Sequence, residues 1–522
     1  MNQFFFGLIW RRAAAAAMLA ACLAILAGPT PARGDTLWWN TTSGNWSTLA
    51  SWSTAFSGGS APVAPQTVPG VNDTAIFNTS GVTAATTAIL GANTSLGGIS
   101  VLDTAGAVTI EGVTTDRTLT LGAGGITSQS TAIAFTLGSN TAGKRVNVDL
   151  AASQAWTALG MIGTSNFNMR GGVQRVAGAT NMTLLIDQSP KTNFNGTVAD
   201  GSGGGTLSLW KRGSGEMVMG VANTYSGTTT VQSGILTVSN ATGLGTSALQ
   251  LAGGTLNVAA GISMTAPSSV TVTGGVTSLS TGSNTSVVNL GTISRSVGAG
   301  LLARATSSTG TFNASNSLTN GIIGPWAFRP TGVNAPGWMT ISAGTITAAA
   351  LTSATNANNL TSATANYSSS AGATLTADRS AYVWSNTGTV TTELANFNLT
   401  LSGFANGAGT NTISGTGTGR LVIGGDELVI IPYNGSIVIS AGIASGTGHL
   451  TIAPMGNGNV TLSGSNAHSG GTSLHKNTLN INNANALGTG TFTIAAGSID
   501  NSSAADLTLA TNNVQVWNSD FT

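Results

Sequence analysis

Cysteine is all but missing from this chain: Cys22 is the only one among 522 residues. It lies within the apolar run of residues 13–27. Cleavage beyond that run leaves no thiol, which excludes disulfides, cysteine-based zinc sites and cysteine nucleophiles together. Charge is nearly as scarce. With 17 basic and 16 acidic residues, 6% of the chain is charged and the net charge is +1, against roughly 25% charge in an ordinary soluble domain. No basic stripe results, so nothing argues for nucleic acid as a partner. After the first 27 residues no run approaches the ~20 apolar residues of a membrane span, and no transmembrane segment is expected in the mature chain. Histidine occurs only at His449, His468 and His475. The last two flank an expected turn with no acidic cluster beside them, so no metal site is expected. No G-x-S-x-G elbow joins a strand to a helix, which leaves a serine hydrolase without its nucleophile. No cofactor is expected.

Glycine is abundant, at 72 residues, and 41% of the chain is hydrophobic, with a mean hydropathy of +0.24. Disorder needs low hydrophobicity and high net charge, so this is not a disordered composition. Apolar residues alternate with Thr, Ser and Asn between glycine pairs, the pattern of half-buried strands and turns. Residues 206–259 carry the pattern most fully, and it returns 243 positions later at 449–503. Gly213 aligns with Gly456, Gly215 with Gly458, Asn223 with Asn466, Gly227 with Gly470, Leu236 with Leu479, and Leu244-Gly245 with Leu487-Gly488. What recurs is scaffold rather than charge, so the repeat speaks to architecture before chemistry. Inside it Gly234-Ile235-Leu236-Thr237-Val238 is echoed 20 residues later by Gly254-Thr255-Leu256-Asn257-Val258. That step is too short for strand, helix and strand. It fits one coil of a parallel β-helix, in which each coil buries its apolar face only against its neighbours.

The order Asn223-Thr224-Tyr225-Ser226-Gly227, Val231, Gly234, Leu236, Val238, then Leu244-Gly245 and Gly253-Gly254-Thr255-Leu256 resembles the autotransporter-associated β-strand repeat. The second copy has His468 in place of the tyrosine and Asn477 in place of a glycine. The resemblance implies a passenger region of a bacterial surface or secreted protein. It also implies the fold class, all-β with a right-handed parallel β-helix (β-solenoid) of about 20-residue coils. The expected organisation is an export signal over 1–34, a Trp-rich cap over 35–80, solenoid over 81–205, the first repeat over 206–259, connecting coils over 260–448, the second repeat over 449–503, and the start of a further β segment over 504–522, from which the chain is expected to continue. The signal rests on Arg11-Arg12, the apolar run and a small-x-small site at Ala32-Arg33-Gly34. Leu19-Ala20-Ala21-Cys22 also spells a lipobox, so the alternative localisation is a lipoprotein anchored at Cys22.

Trp38, Trp39, Trp46 and Trp52 fall within fifteen residues. They read as a cap for the open end of the solenoid or, alternatively, as a glycan contact, because indole faces stack on pyranose rings. Acid and base groups concentrate between Asp149 and Arg212, with Asp187, Asp200, Arg170, Arg175, Lys191 and Lys211 between them. Lys144, Arg145, Glu216, Asp426 and Glu427 complete the set. A polysaccharide lyase or hydrolase on the same scaffold would use such carboxylates, but no pair among them recurs at the coil step. The expected function is an exported, non-catalytic, adhesin-like passenger rod with surface glycans or other cells as partners. The alternatives are the polysaccharide-acting enzyme and a glycan-binding surface protein.

Overall fold

The computed structural model describes residues 34–41, 43–54, 67–78, 84–102, 106–128, 134–158, 166–266, 269–303, 310–453, 455–518 and 521–522. The export signal expected over 1–34, apart from Gly34, and Cys22 lie outside the described residues. Among the described residues the chain is all β, its only helical elements being the short 3-10 turns Leu49–Ser51 and Ala357–Asn359. It winds into a parallel β-solenoid of about 18 turns, with about 23 residues per coil. No helix among the described residues is long and apolar enough to cross a membrane. Strands such as Val108–Gly112 and Val146–Leu150 alternate buried and half-buried positions, because successive side chains of a strand point to opposite faces. The chain divides into two compact units.

The first unit comprises residues 1–230 and 234–248. Val146–Leu150, Gln154–Ala158 and Asn166–Met169 make one turn. Val173–Arg175, Met182–Gln188 and Lys191–Phe194 lie on them in parallel register as the next. Val148 faces Val173 and Asn166 faces Lys191, each 25 positions on, whereas in the repeat Glu216 faces Ile235, only 19 on. The expected 20-residue coil therefore describes the repeat, while the plainer coils are longer. The added residues go into the corners, since the strands must keep the inter-strand spacing of about 4.8 Å. The interior is apolar and partly aromatic: Phe135 stacks on Phe167 at 5.4 Å, and Trp156 on Phe194 at 6.0 Å.

The second unit comprises Val231–Ser233 and Leu249–Thr522. Its first arm stacks coils from Leu249–Leu251 to Ala327–Phe328. The chain then leaves the parallel pattern in an antiparallel hairpin of Met339–Ser342 and Thr345–Ala348. Ala343 and Gly344 form its turn at φ 48° and 82°; two left-handed residues suit the right-handed twist of a hairpin. A second arm starts at Thr352–Ser353 and stacks through Gln515–Trp517. Its interior columns run Leu428, Leu450, Thr472, Phe492 and Ile437, Val460, Leu479, Ile499. This arm lies back along the first. Arg295 pairs with Glu427, a Cβ on Gly300 would touch Met455, and the Gln232 amide reaches the Asn518 carbonyl at 3.4 Å. The connecting coils expected over 260–448 thus contain a reversal of the chain.

Candidate functional site

The tryptophans come first in the chain. Thr36–Trp39 pairs in parallel with Thr74–Phe77 on one side and antiparallel with Trp52–Ser53 on the other. Trp39, Trp46 and Trp52 are buried with Phe77 beneath them. Trp46 and Trp52 meet edge to face at 4.7 Å, Trp39 and Trp52 at 5.0 Å. The Trp52 indole N–H donates to the Trp46 carbonyl at 2.8 Å. Their faces contact one another, and only Trp38 keeps part of its surface open.

Acid and base groups between Asp149 and Arg212 are bonded to neighbouring coils. Two pairs lie one coil apart on neighbouring strands: Arg212 with Asp187 at 2.6 Å and Lys191 with Glu216 at 2.9 Å. The sequence expectation that no pair recurs at coil spacing is thereby corrected. The local coil is 25 residues rather than 20, so the pairing was hidden by the wrong step. Lys144 bonds Glu111 at 2.7 Å, and the Gln174 amide donates to Asp149 at 2.9 Å. Asp200 accepts from the Leu207 and Ser226 N–H groups and from the Ser226 hydroxyl. Asp426 is exposed, and Arg145 and Arg170 enter coil-to-coil bonds through their backbone N–H groups. Two cations point inward instead. Arg175 is 1% exposed and donates to the Val176, Gly178 and Ser202 carbonyls. Lys211, also 1% exposed, donates to the Arg212 and Gly213 carbonyls. Burial pushes the Lys211 ammonium down to about 8, with Asp187 opposing.

The repeat motif accounts for most of its own residues. Asn223 accepts from the Val198 N–H at 2.7 Å, one coil back, and donates to the Gly243 carbonyl at 2.6 Å, one coil on. Asn466 does the same with Ile443 and Ala486, at 2.8 and 2.6 Å. Tyr225 bonds Thr229 at 2.7 Å, and Thr229 bonds Ser247 at 2.9 Å. Burial pushes the Tyr225 hydroxyl up to about 12. His468, in the equivalent place, reaches Thr472 at 3.0 Å, and Thr472 donates to the Leu487 carbonyl. Gly245 and Gly488 take φ 59° and 66°, and a Cβ there would collide with the Tyr225 or His468 carbonyl. Asn477 donates to the Gly456 and Gly458 carbonyls at 3.0 and 2.9 Å. At the matching corner of the first copy the Lys211 ammonium lies 2.7 Å from where a Gly234 Cβ would stand. One corner is satisfied by a lysine from the strand before, the other by the asparagine of the turn itself.

A further polar group escaped the sequence reading, because its members are far apart in the chain. Glu427 accepts from Arg295, from the Gly298 N–H at 3.0 Å and from the Thr451 hydroxyl. Arg295 also donates to the Ala299 carbonyl and lies over the Trp326 ring at 5.4 Å. On the next two coils His449 bonds the Gly470 carbonyl through Nδ1 and Ser473 through Nε2, both at 2.8 Å. A carbonyl only accepts, so Nδ1 carries the proton and Nε2 accepts from the serine. This has the parts of an acyl-transfer site but not its arrangement: the imidazole is oriented by a carbonyl rather than by Glu427. A Cβ on Gly298 would stand 3.1 Å from the Ser473 hydroxyl, so the Gly298 backbone packs closely against it.

Two stretches of the chain, residues 209–238 and 455–481, match the Passenger-associated-transport-repeat family. No curated protein and no solved structure matches the chain. The two matches and the parallel solenoid fit an autotransporter passenger-type repeat protein.

Proposed function

We propose that this chain is an exported passenger of the bacterial cell surface or outer-membrane boundary, a non-catalytic, adhesin-like scaffold that holds its exposed coil faces toward glycans or other cells. One observation carries the reading: in both repeat copies the recurring polar side chains join coil to coil, as Asn223 and Asn466 do. A motif whose polar groups are satisfied internally stabilises a scaffold and leaves none of them for substrate. The coil-to-coil partners of Asp149, Asp187, Asp200 and Glu216 support the same reading over a polysaccharide-acting enzyme. The test is to display the full chain on cells and score adhesion to glycan-coated and cell-coated surfaces, with polysaccharide turnover assayed in parallel. Adhesion without turnover supports the proposal. Turnover that disappears in Asp187→Asn or Asp200→Asn would sink it in favour of the enzyme. Glycan contact at the tryptophans has one observation behind it, the open part of Trp38. Trp38→Ala should then lose sugar binding while the melting temperature stays put.

A further inference from the structure

Arg295 and Gly298 meet Glu427 across 132 and 129 positions of sequence, far beyond the one-coil step of the neighbouring bonds. The turn that carries Gly298, at φ 83°, enters the second arm. Its N–H donates to Glu427, and a Cβ added to it would meet Ser473 and His449. Its carbonyl lies beside the buried His475 ring, neither nitrogen of which makes a well-formed hydrogen bond among the described residues. We propose that this seam is an acid-releasable clasp: the Arg295–Gly298 turn of the first arm seats among Glu427, His449, Ser473 and His475 of the second, and protonation of its histidines frees the second arm.

The charges around the seam set the direction. Closed and neutral, it contains one cation, Arg295, against one carboxylate, Glu427. Tyr382 faces Arg295 from the neighbouring strand Arg379–Asn386, and His468 faces His449 from its own arm. A proton on His475 or His449 adds positive charge beside Arg295 where no second carboxylate answers it. Burial holds His475 down to about 4, with His449 and Arg295 acting the same way and the Gly298 carbonyl opposing. His449 is also lowered, by burial first. A histidine lowered in the closed state contributes its stability fully above its ordinary value of 6.5 and loses it as pH falls towards 4. At pH 5 the His475 contribution alone weakens closure about 30-fold.

The experiment is hydrogen exchange on the full chain, read as protection factors so that the intrinsic pH dependence of exchange is removed. The expected result is a loss of protection of about 30-fold or more between pH 7.5 and 5 at the Gly298 N–H, which donates across the seam to Glu427. Leu207–Arg212 in the first unit should keep its protection over the same range. His449→Gln combined with His475→Gln should flatten the response, and Glu427→Gln should open the seam already at pH 7.5. Circular dichroism at each pH checks that every variant retains its β structure. The wild-type comparison stands alone should a variant fail to fold. Unchanged seam protection at pH 5, an equal loss in both units, or an undiminished response in the double variant would each overturn the clasp.

Discussion

Asn223 and Asn466 are buried side chains that each join three successive coils, and their cost of removal follows from what they satisfy. Asn223→Ala strands the Val198 N–H and the Gly243 carbonyl, each worth about 1–3 kcal/mol when buried without a partner. The variant should lose about 2–4 kcal/mol in urea unfolding, and a loss below about 1 kcal/mol would show that water replaces the amide. Lys211 gives a pH signature of the opposite kind from an exposed lysine. Its ammonium titrates near 8 in the folded chain and at 10.5 when unfolded, so the folded state releases its proton first. This contribution to stability therefore rises between pH 8 and 10. Tyr225 works against it only above 10, where the unfolded phenol ionises while the buried one waits until about 12. Comparing the urea midpoints of wild type and Lys211→Met from pH 8 to 10 isolates the slope, which should vanish in the variant.

Among elements, the turn of the reversing hairpin places an alanine where the backbone is left-handed. Ala343 holds φ 48° and is exposed, a conformation that costs an L-residue about 1–2 kcal/mol. Asparagine tolerates it and precedes glycine in the preferred two-residue turn. Ala343→Asn should raise stability by about 0.5–1 kcal/mol, measured as a shift in the unfolding midpoint of the second unit. The reversal was not legible in the sequence. Ser342-Ala343-Gly344-Thr345 between two apolar runs is a local turn signal, but the contacts that make it an elbow are distant. Trp338, for instance, donates its indole N–H to Ser385 at 3.1 Å, and a Cβ on Gly403 would collide with its ring. Nothing in an alternating pattern encodes such partners. The repeat was legible because its register is local: the equivalence of Tyr225 and His468, read from spacing alone, is borne out by their matching bonds to Thr229 and Thr472. The longer coil was not, since its extra residues sit in corners that carry no periodic signal. With it went the pairing of Lys191 with Glu216, which only the 25-residue step reveals.

For the whole molecule, a long stack of coils and few charges set the expected unfolding behaviour. A long stack of coils loses all-or-none cooperativity, so calorimetry is expected to return a van't Hoff enthalpy well below the calorimetric one, and equality of the two would make the chain a single cooperative unit. With only 6% charged residues, salt should move the transition little. The spacing of partners along the chain also sets an order of events. Coil-to-coil bonds among the described residues join residues one coil apart, 25 positions for Asn193 to Asn168 and 20 for Asn466 to Ala486, so a finished coil is the template for the next and growth resembles a crystal adding rows at one face. The bond between Arg295 and Glu427 breaks that rule by spanning 132 positions. It has to wait until the second arm has wound as far as Glu427. A chain delivered one segment at a time would thus carry the Arg295 turn without its carboxylate until Glu427 follows it, with further coils still to be added beyond that point.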